Sequence, residues 1–154
     1  MKFNKFLAIA LAISALAFSA CTKDKKTDDP TPANPSANLV GKDWRVTSLL
    51  LVSPGGTIDM YLAMDPCEKD DLIEFLAAGT VTNKAGATKC DPSDPNTEPG
   101  GSWALLNNGA QIRLIDGDTT IADVKELSAT TFKLEMTEND MGIVYTTKIT
   151  FTKN

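Results

Sequence analysis

The sequence predicts an all-β domain, an antiparallel sandwich or barrel whose strands follow one another in up-and-down order. Three observations carry this. Apolar and polar residues alternate with a period of two over most of residues 39–154, which is the mark of strands with one buried face. The alternating runs are short and rich in β-branched and aromatic residues. Tight-turn sequences separate them, which favours hairpins between neighbours in the chain over long crossovers.

The elements follow in chain order. Residues 1–20 open with a short basic stretch, Met1 to Lys5, and continue as the apolar run "FLAIALAISALAFSA", Phe6 to Ala20. Fifteen residues fall short of the roughly 20 needed to cross a bilayer. A basic start, a short apolar centre and small residues at its end describe a secretory signal peptide. "FSAC", Phe18 to Cys21, resembles the cleavage box of bacterial lipoproteins. In that class the chain is cut before the cysteine, whose sulfur takes a diacylglycerol. The resemblance implies Cys21 as the lipidation site and membrane attachment through an N-terminal lipid.

Thr22 to Asn38, "TKDKKTDDPTPANPSAN", holds no large apolar residue. Such a stretch cannot offset the entropy of ordering and is expected to be a flexible tether. Domain limits are therefore 1–20 signal peptide, 21–38 lipid anchor and tether, and 39–154 a single β domain.

Within that domain Trp44, Val46, Leu50 and Val52 alternate with Arg45, Thr47, Leu49 and Leu51. Phe132, Leu134 and Met136 alternate with Lys133 and Glu135. Ile143, Tyr145, Ile149 and Phe151 alternate with Val144, Thr146, Lys148 and Thr150. Trp103/Leu105 and Ile112/Leu114 flank "NNG", Asn107 to Gly109, a hairpin signal. "DGD" at 116–118 and "LSATT" at 127–131 mark further reversals, and "PGG" at 54–56 and at 99–101 reads as turns. Around Val124 to Leu127 the alternation slips by one, which predicts a bulge. The stretch 83–102 reads as the longest irregular loop. "DPCEKDDLIEFLAAG", Asp65 to Gly79, begins as a helix, with Asp65 as cap, Pro66 at the first position and Glu68 three residues on. One turn over 66–71 and a strand from about Leu72 are expected.

Removing residues 1–20 takes away Lys2 and Lys5 and no acid. That leaves 13 basic against 20 acidic residues and moves the formal charge from −5 to −7. This balance argues against nucleic acid, whose partners carry a basic patch. The sequence has no histidine, so a Ser-His-Asp set or a histidine-activated thiol is excluded. No phosphate-binding glycine loop appears, and no catalytic residue, cofactor or metal ligand is assigned. Three readings remain for Cys67 and Cys90: a disulfide, free thiols or metal ligands. Lipidation of Cys21 leaves an even pair in an exported chain, and exported proteins keep disulfides. A disulfide is the expectation. The acids Glu68, Asp70, Asp71, Asp91, Asp94 and Glu98 read as a solvated rim, with a weak calcium site as the competing reading. Asp123 and Glu126 lie in strand pattern and read as outward charges, with an acid–base pair as the alternative.

"GKDWRVTS" (41–48), "CEKDDLIEF" (67–75), Cys90 and "GSWALLNNGAQIRL" (101–114) together resemble the lipocalin-like domains found in lipoproteins of Bacteroidetes-type bacteria. The likeness spans residues 39–154. It departs at "LAAG", Leu76 to Gly79, where the family usually has a polar turn. It implies a meander barrel of about eight strands that binds a small molecule or serves as a surface module, and it carries no catalytic activity. A barrel of that size either fills with side chains or holds one small ligand, and 116 residues with many medium-sized apolar groups favour a filled one. The whole reading is a monomeric lipoprotein of the cell envelope and outer membrane. Its ligand, if it has one, is small and apolar or amphipathic.

Overall fold

The computed structural model describes residues 34–154. The expected signal peptide, Cys21 and most of the tether lie outside the described residues.

Nine strands form one antiparallel sheet: β1 (Asp43–Ser53), β2 (Gly56–Asp59), β3 (Leu72–Phe75), β4 (Thr80–Lys84), β5 (Thr97–Leu106), β6 (Gln111–Asp116), β7 (Asp118–Leu127), β8 (Thr131–Asp140) and β9 (Ile143–Lys153). Each of β3 to β8 pairs with the next, and β1 pairs with both β3 and β9, so the sheet closes into a barrel. It has eight staves, because β2 and β3 share one. Both run antiparallel to β1 on the same side, β2 against Leu50–Ser53 and β3 against Asp43–Trp44. Two helical turns fill the break between them, α1 (Met60–Ala63) and α2 (Pro66–Lys69).

One end of the barrel is plugged. Leu39, Trp44, Ile112 and Phe132 are fully buried, joined by Phe75, Val81, Ala122, Leu134 and Phe151. Phe132 is the hub. Its ring centroid lies 5.9 Å from Trp44, 5.8 Å from Phe75 and 5.4 Å from Phe151. Such tilted, edge-on and offset pairs each add about 0.5–1.5 kcal/mol beyond their buried area. No polar or charged residue is buried among the described residues. The two indoles reach backbone acceptors: Trp44 Nε1 donates to the Leu39 carbonyl at 2.9 Å, and Trp103 Nε1 to the Leu76 carbonyl at 3.0 Å. The core therefore leaves no donor of its large aromatics unsatisfied.

Turn chemistry explains the reversals. Asn107 and Asn108 take left-handed backbone (φ 51° and 56°) ahead of Gly109, a conformation that Asn and Gly tolerate best. Gly117 turns at φ 74°, and the Ser128 hydroxyl accepts from the backbone N–H groups of Thr130 and Thr131. Leu76 to Gly79 forms a tight turn in which the Gly79 N–H donates to the Leu76 carbonyl at 3.0 Å. The expected slip after Val124 is a bulge between Val124 and Glu126.

Four expectations need correction. A second bulge, at Thr47, reverses the inward set of β1. Val46 pairs with Phe151, but Leu49 pairs with Ile149 and Leu51 with Thr147, so Leu49 and Leu51, not Leu50 and Val52, share the face of the core. A bulge flips every later side chain, and the uniformly apolar "LLLV" at 49–52 hides the change. The loop is also shorter than 83–102. "PGG" at 99–101 lies inside β5, where Pro99 pairs with Thr82 beside a register shift, one of the few places a strand accommodates proline. Gly101 (φ 83°) is needed there because a Cβ would run into the Ile115 carbonyl. Next, residues 34–38, the expected end of the tether, form a 3-10 turn. The Asn34 side chain accepts from the Ser36 N–H at 3.2 Å, Pro35 fits the first position, and its ring sits against Gly109 with no space for a Cβ. Finally, β2 and α1 belong to no element expected from sequence; Asp59 starts α1 by accepting from the Leu62 N–H at 3.3 Å.

Candidate functional site: the open half of the barrel

The barrel is continuous only at its plugged end. β7 and β8 pair through Asp123–Leu127 and Phe132–Glu135. Beyond that, residues 118–122 pair only with β6 and residues 136–140 only with β9. β1 and β3 share just the two pairs at Asp43 and Trp44. The other half thus consists of two leaves, β2-β1-β9-β8 and β3-β4-β5-β6-β7, with backbone pairing between them confined to the plugged end.

Partners in register project to the same face. Register with the buried core therefore places Leu49, Leu51, Leu114, Met136 and Tyr145 on the inner face of the open half. Each is only partly buried. Backbone pairing does not close the ring at this level, so solvent reaches the inner face at the mouth and along the parted strands. The barrel is filled below, and above the plug its inner face is apolar and partly exposed. The apolar lining continues onto the rim, where Leu62 is 75% and Met141 96% exposed and Ile58 and Ile143 are exposed as well. Among the strand aromatics, Trp44, Phe75, Phe132 and Phe151 are buried, Trp103 packs against them and Tyr145 is partly exposed.

The structure joins Cys67, on α2, and Cys90, on the β4–β5 loop, in a disulfide with Cα atoms 5.2 Å apart. It ties the helical insert of the split stave to the neighbouring leaf, where β2 has no strand on its far side. The adjacent acids do more than face solvent. Asp71 Oδ1 accepts from the Gly86 N–H at 2.9 Å and Asp70 Oδ2 from the Thr88 N–H at 2.9 Å. Asp70 lies so close over Gly86 that no Cβ would fit. This pair holds the start of the loop that the disulfide holds at Cys90. Glu68 accepts from the Asp65 N–H at 2.8 Å and starts α2.

Asp91 and Asp94 close a local turn. Asp91 accepts from the Ser93 N–H and hydroxyl, both at 2.8 Å, and Asp94 accepts from the Asp91 N–H at 3.1 Å. The bonds from Ser93 hold the Asp91 carboxyl below its ordinary range. A small pocket of about 120 Å³ lies between Asp71, Asn83, Lys89, Cys90, Asp94 and Glu98. Among the described residues no three Asp, Glu or Cys groups stand together closely enough to hold a metal ion.

Asp123 and Glu126 both face outward and engage cations. Gln111 and then Lys125 donate to Asp123 at 3.0 and 3.1 Å and lower its pKa. Glu126 meets Lys133 at 2.7 Å. Each carboxylate is thus paired with a lysine on the outer wall. On the far side, Lys84 lies 2.7 Å from Asp43 and 2.8 Å from Glu74. Those bonds raise its pKa, Asp43 contributing most. The triad braces β3 between β1 and β4 where backbone pairing is shortest.

Residues 39–134, more than half of the chain, match the sequence model of the family described as "Lipocalin-like domain". No curated protein matches the chain.

Proposed function

The chain belongs to the lipocalin-like domain family, and from that premise we propose that it is a non-catalytic binding module whose open half takes one small apolar or amphipathic molecule. The observation that carries this reading is the set of inward, partly buried apolar side chains above a filled plug, at Leu49, Leu51, Leu114, Met136 and Tyr145. Burying such groups against a ligand is worth about 25 cal/mol per Å². The plug supplies a rigid floor. A lipid on Cys21 would hold the module at the outer membrane of the cell envelope as a monomer, on a tether between Cys21 and Asn34. Each buried methylene of such an anchor is worth about 0.8 kcal/mol.

The test is native mass spectrometry of residues 22–154, which contain every residue of the core, after incubation with a lipid and metabolite extract of the source cells. A retained mass of a few hundred daltons, lost when Leu51 and Met136 are replaced by lysine, is the expected result. A bare protein mass overturns the carrier reading. It leaves the filled lower barrel as a module that works through its outer surface.

A further inference from the structure

The plugged end of the barrel carries a groove of about 470 Å³ that shares no lining residue with the inner face of the open half. Its walls come from the 3-10 turn at 34–38, the turn at 76–79, the end of β5 and the turn at 107–109. These walls are fixed against one another. Pro35 packs on Gly109 with no space for a Cβ, and the Trp103 backbone N–H donates to the Gly79 carbonyl at 2.8 Å. The volume falls within the roughly 300–1,000 Å³ of small-molecule sites.

Trp103 lines the groove and is only partly buried. Its ring is held near-perpendicular to Phe75, with centroids 5.7 Å apart, and by the Nε1 bond to the Leu76 carbonyl. With Nε1 committed, the indole offers the groove apolar surface and no donor. Ala77 and Leu105 add aliphatic surface. The polar side chains include two amides. Asn34 Oδ1 accepts from the Ser36 N–H and hydroxyl, which leaves its NH2 group. Among the described residues neither that group nor the Asn108 side chain makes a hydrogen bond. No charged side chain lines the groove. An anionic ligand would find no cation there, in a chain of formal charge −5. A purely apolar ligand would leave the amides without partners.

We infer that this groove is a second binding site, for one ring of an uncharged sugar. The apolar C–H face of the ring lies against Trp103, and its hydroxyls, which both donate and accept, pair with the side chains of Asn34 and Asn108. Asn34 and Asn108 are exposed, so a ring at the end of a longer sugar chain can enter from that edge. The site is independent of the reading given for the open half.

The two tryptophans give two indole N–H resonances. Trp44 is fully buried and outside the groove, so it serves as an internal control. The experiment titrates isotope-labelled residues 22–154 with maltotriose, cellotriose and triacetylchitotriose at millimolar concentration and follows both resonances by heteronuclear NMR. At least one sugar is expected to shift the Trp103 indole and Asn108 side-chain signals saturably, with Trp44 unmoved. Ala77→Lys puts a long side chain at an exposed position of the groove wall and should weaken binding at least about tenfold. Asn108→Gly preserves the turn, since glycine accepts φ 56°, and should weaken binding about three- to tenfold through one lost hydrogen bond. Spectra of both variants that overlay on the unaltered protein away from the groove report an intact fold. No shift with any of the three sugars overturns the inference. Shifts that persist unchanged in Ala77→Lys place the sugar elsewhere and overturn it as well. Adenosine shifting Trp103 when no trisaccharide does assigns the groove to a stacked base and overturns the sugar assignment. None of these results bears on the open half.

Discussion

Breaking the Cys67–Cys90 bond tests how the two leaves are held. The bond closes a loop between residues 23 apart. The chain-entropy relation gives a stabilisation of about 3.4 kcal/mol for a loop of that length. The native loop has other supports. The carboxylates of Asp70 and Asp71 each accept a backbone N–H at 2.9 Å from residues 86–88. These bonds keep the folded geometry when the sulfurs are gone, so the loss falls chiefly on the unfolded chain, which gains freedom. The Cys67→Ser, Cys90→Ser double variant should therefore lose about 3.4 kcal/mol, and near-UV circular dichroism of its folded form should superimpose on that of the oxidised protein. At about 4 °C per kcal/mol for a domain of this size, Tm should fall by about 14 °C. Urea unfolding followed by tryptophan fluorescence measures the difference, and dithiothreitol added to the unaltered protein should reproduce it. A loss under about 1 kcal/mol would refute the reasoning. So would iodoacetamide labelling of both cysteines in native, unreduced protein.

Phe132→Ala removes the hub of the plug and should cost about 3–5 kcal/mol; a loss below about 2 kcal/mol in urea melts would mean the plug collapses freely around the gap. Gly101→Ala should cost about 2 kcal/mol, since φ 83° and the facing Ile115 carbonyl both oppose a Cβ, while Gly117→Ala, turning at φ 74° with open space around it, should cost less; equal losses at the two sites would count against the contact. Stability should be level between about pH 5 and 9, because no histidine is present and the groups with shifted pKa titrate outside that range. The raised pKa of Lys84 means its contribution is complete below 10.5 and lost as pH rises through the higher folded value. The lowered values of Asp91 and Asp123 mean theirs are complete above 3.8 and lost as pH falls further. Thermal melts from pH 2 to 12 check this, and Lys84→Met should remove part of the alkaline loss; a transition centred near pH 7 would contradict it. The triad is worth only about 0.5–1 kcal/mol, as its side chains remain partly exposed and water screens them.

The all-β class, most strands, the hairpins at 107–109 and 116–118, the helical turn at 66–69 and the bulge after Val124 were legible in the sequence, because each rests on interactions within a few residues. Asn and Gly at positive φ, a proline at a helix start and a period-two pattern are local facts that local composition records. The pair Cys67 and Cys90 was legible by parity and the absence of histidine. What the tertiary structure decided involves partners far apart in the chain. The inward set of β1 after Thr47 depends on pairing with β9. Pro99 and Gly101 sit in a strand because Thr82 and Ile115 approach them from other strands, and residues 34–38 are ordered because Pro35 meets Gly109. Asp70 and Asp71 look like rim acids until the loop at 86–88 folds back to donate to them. The parting of β7 and β8 was beyond the sequence, since the same alternating pattern serves a fully paired barrel and a partly open one. Only the register across β7 and β8, where pairing stops at Asp123, separates the two.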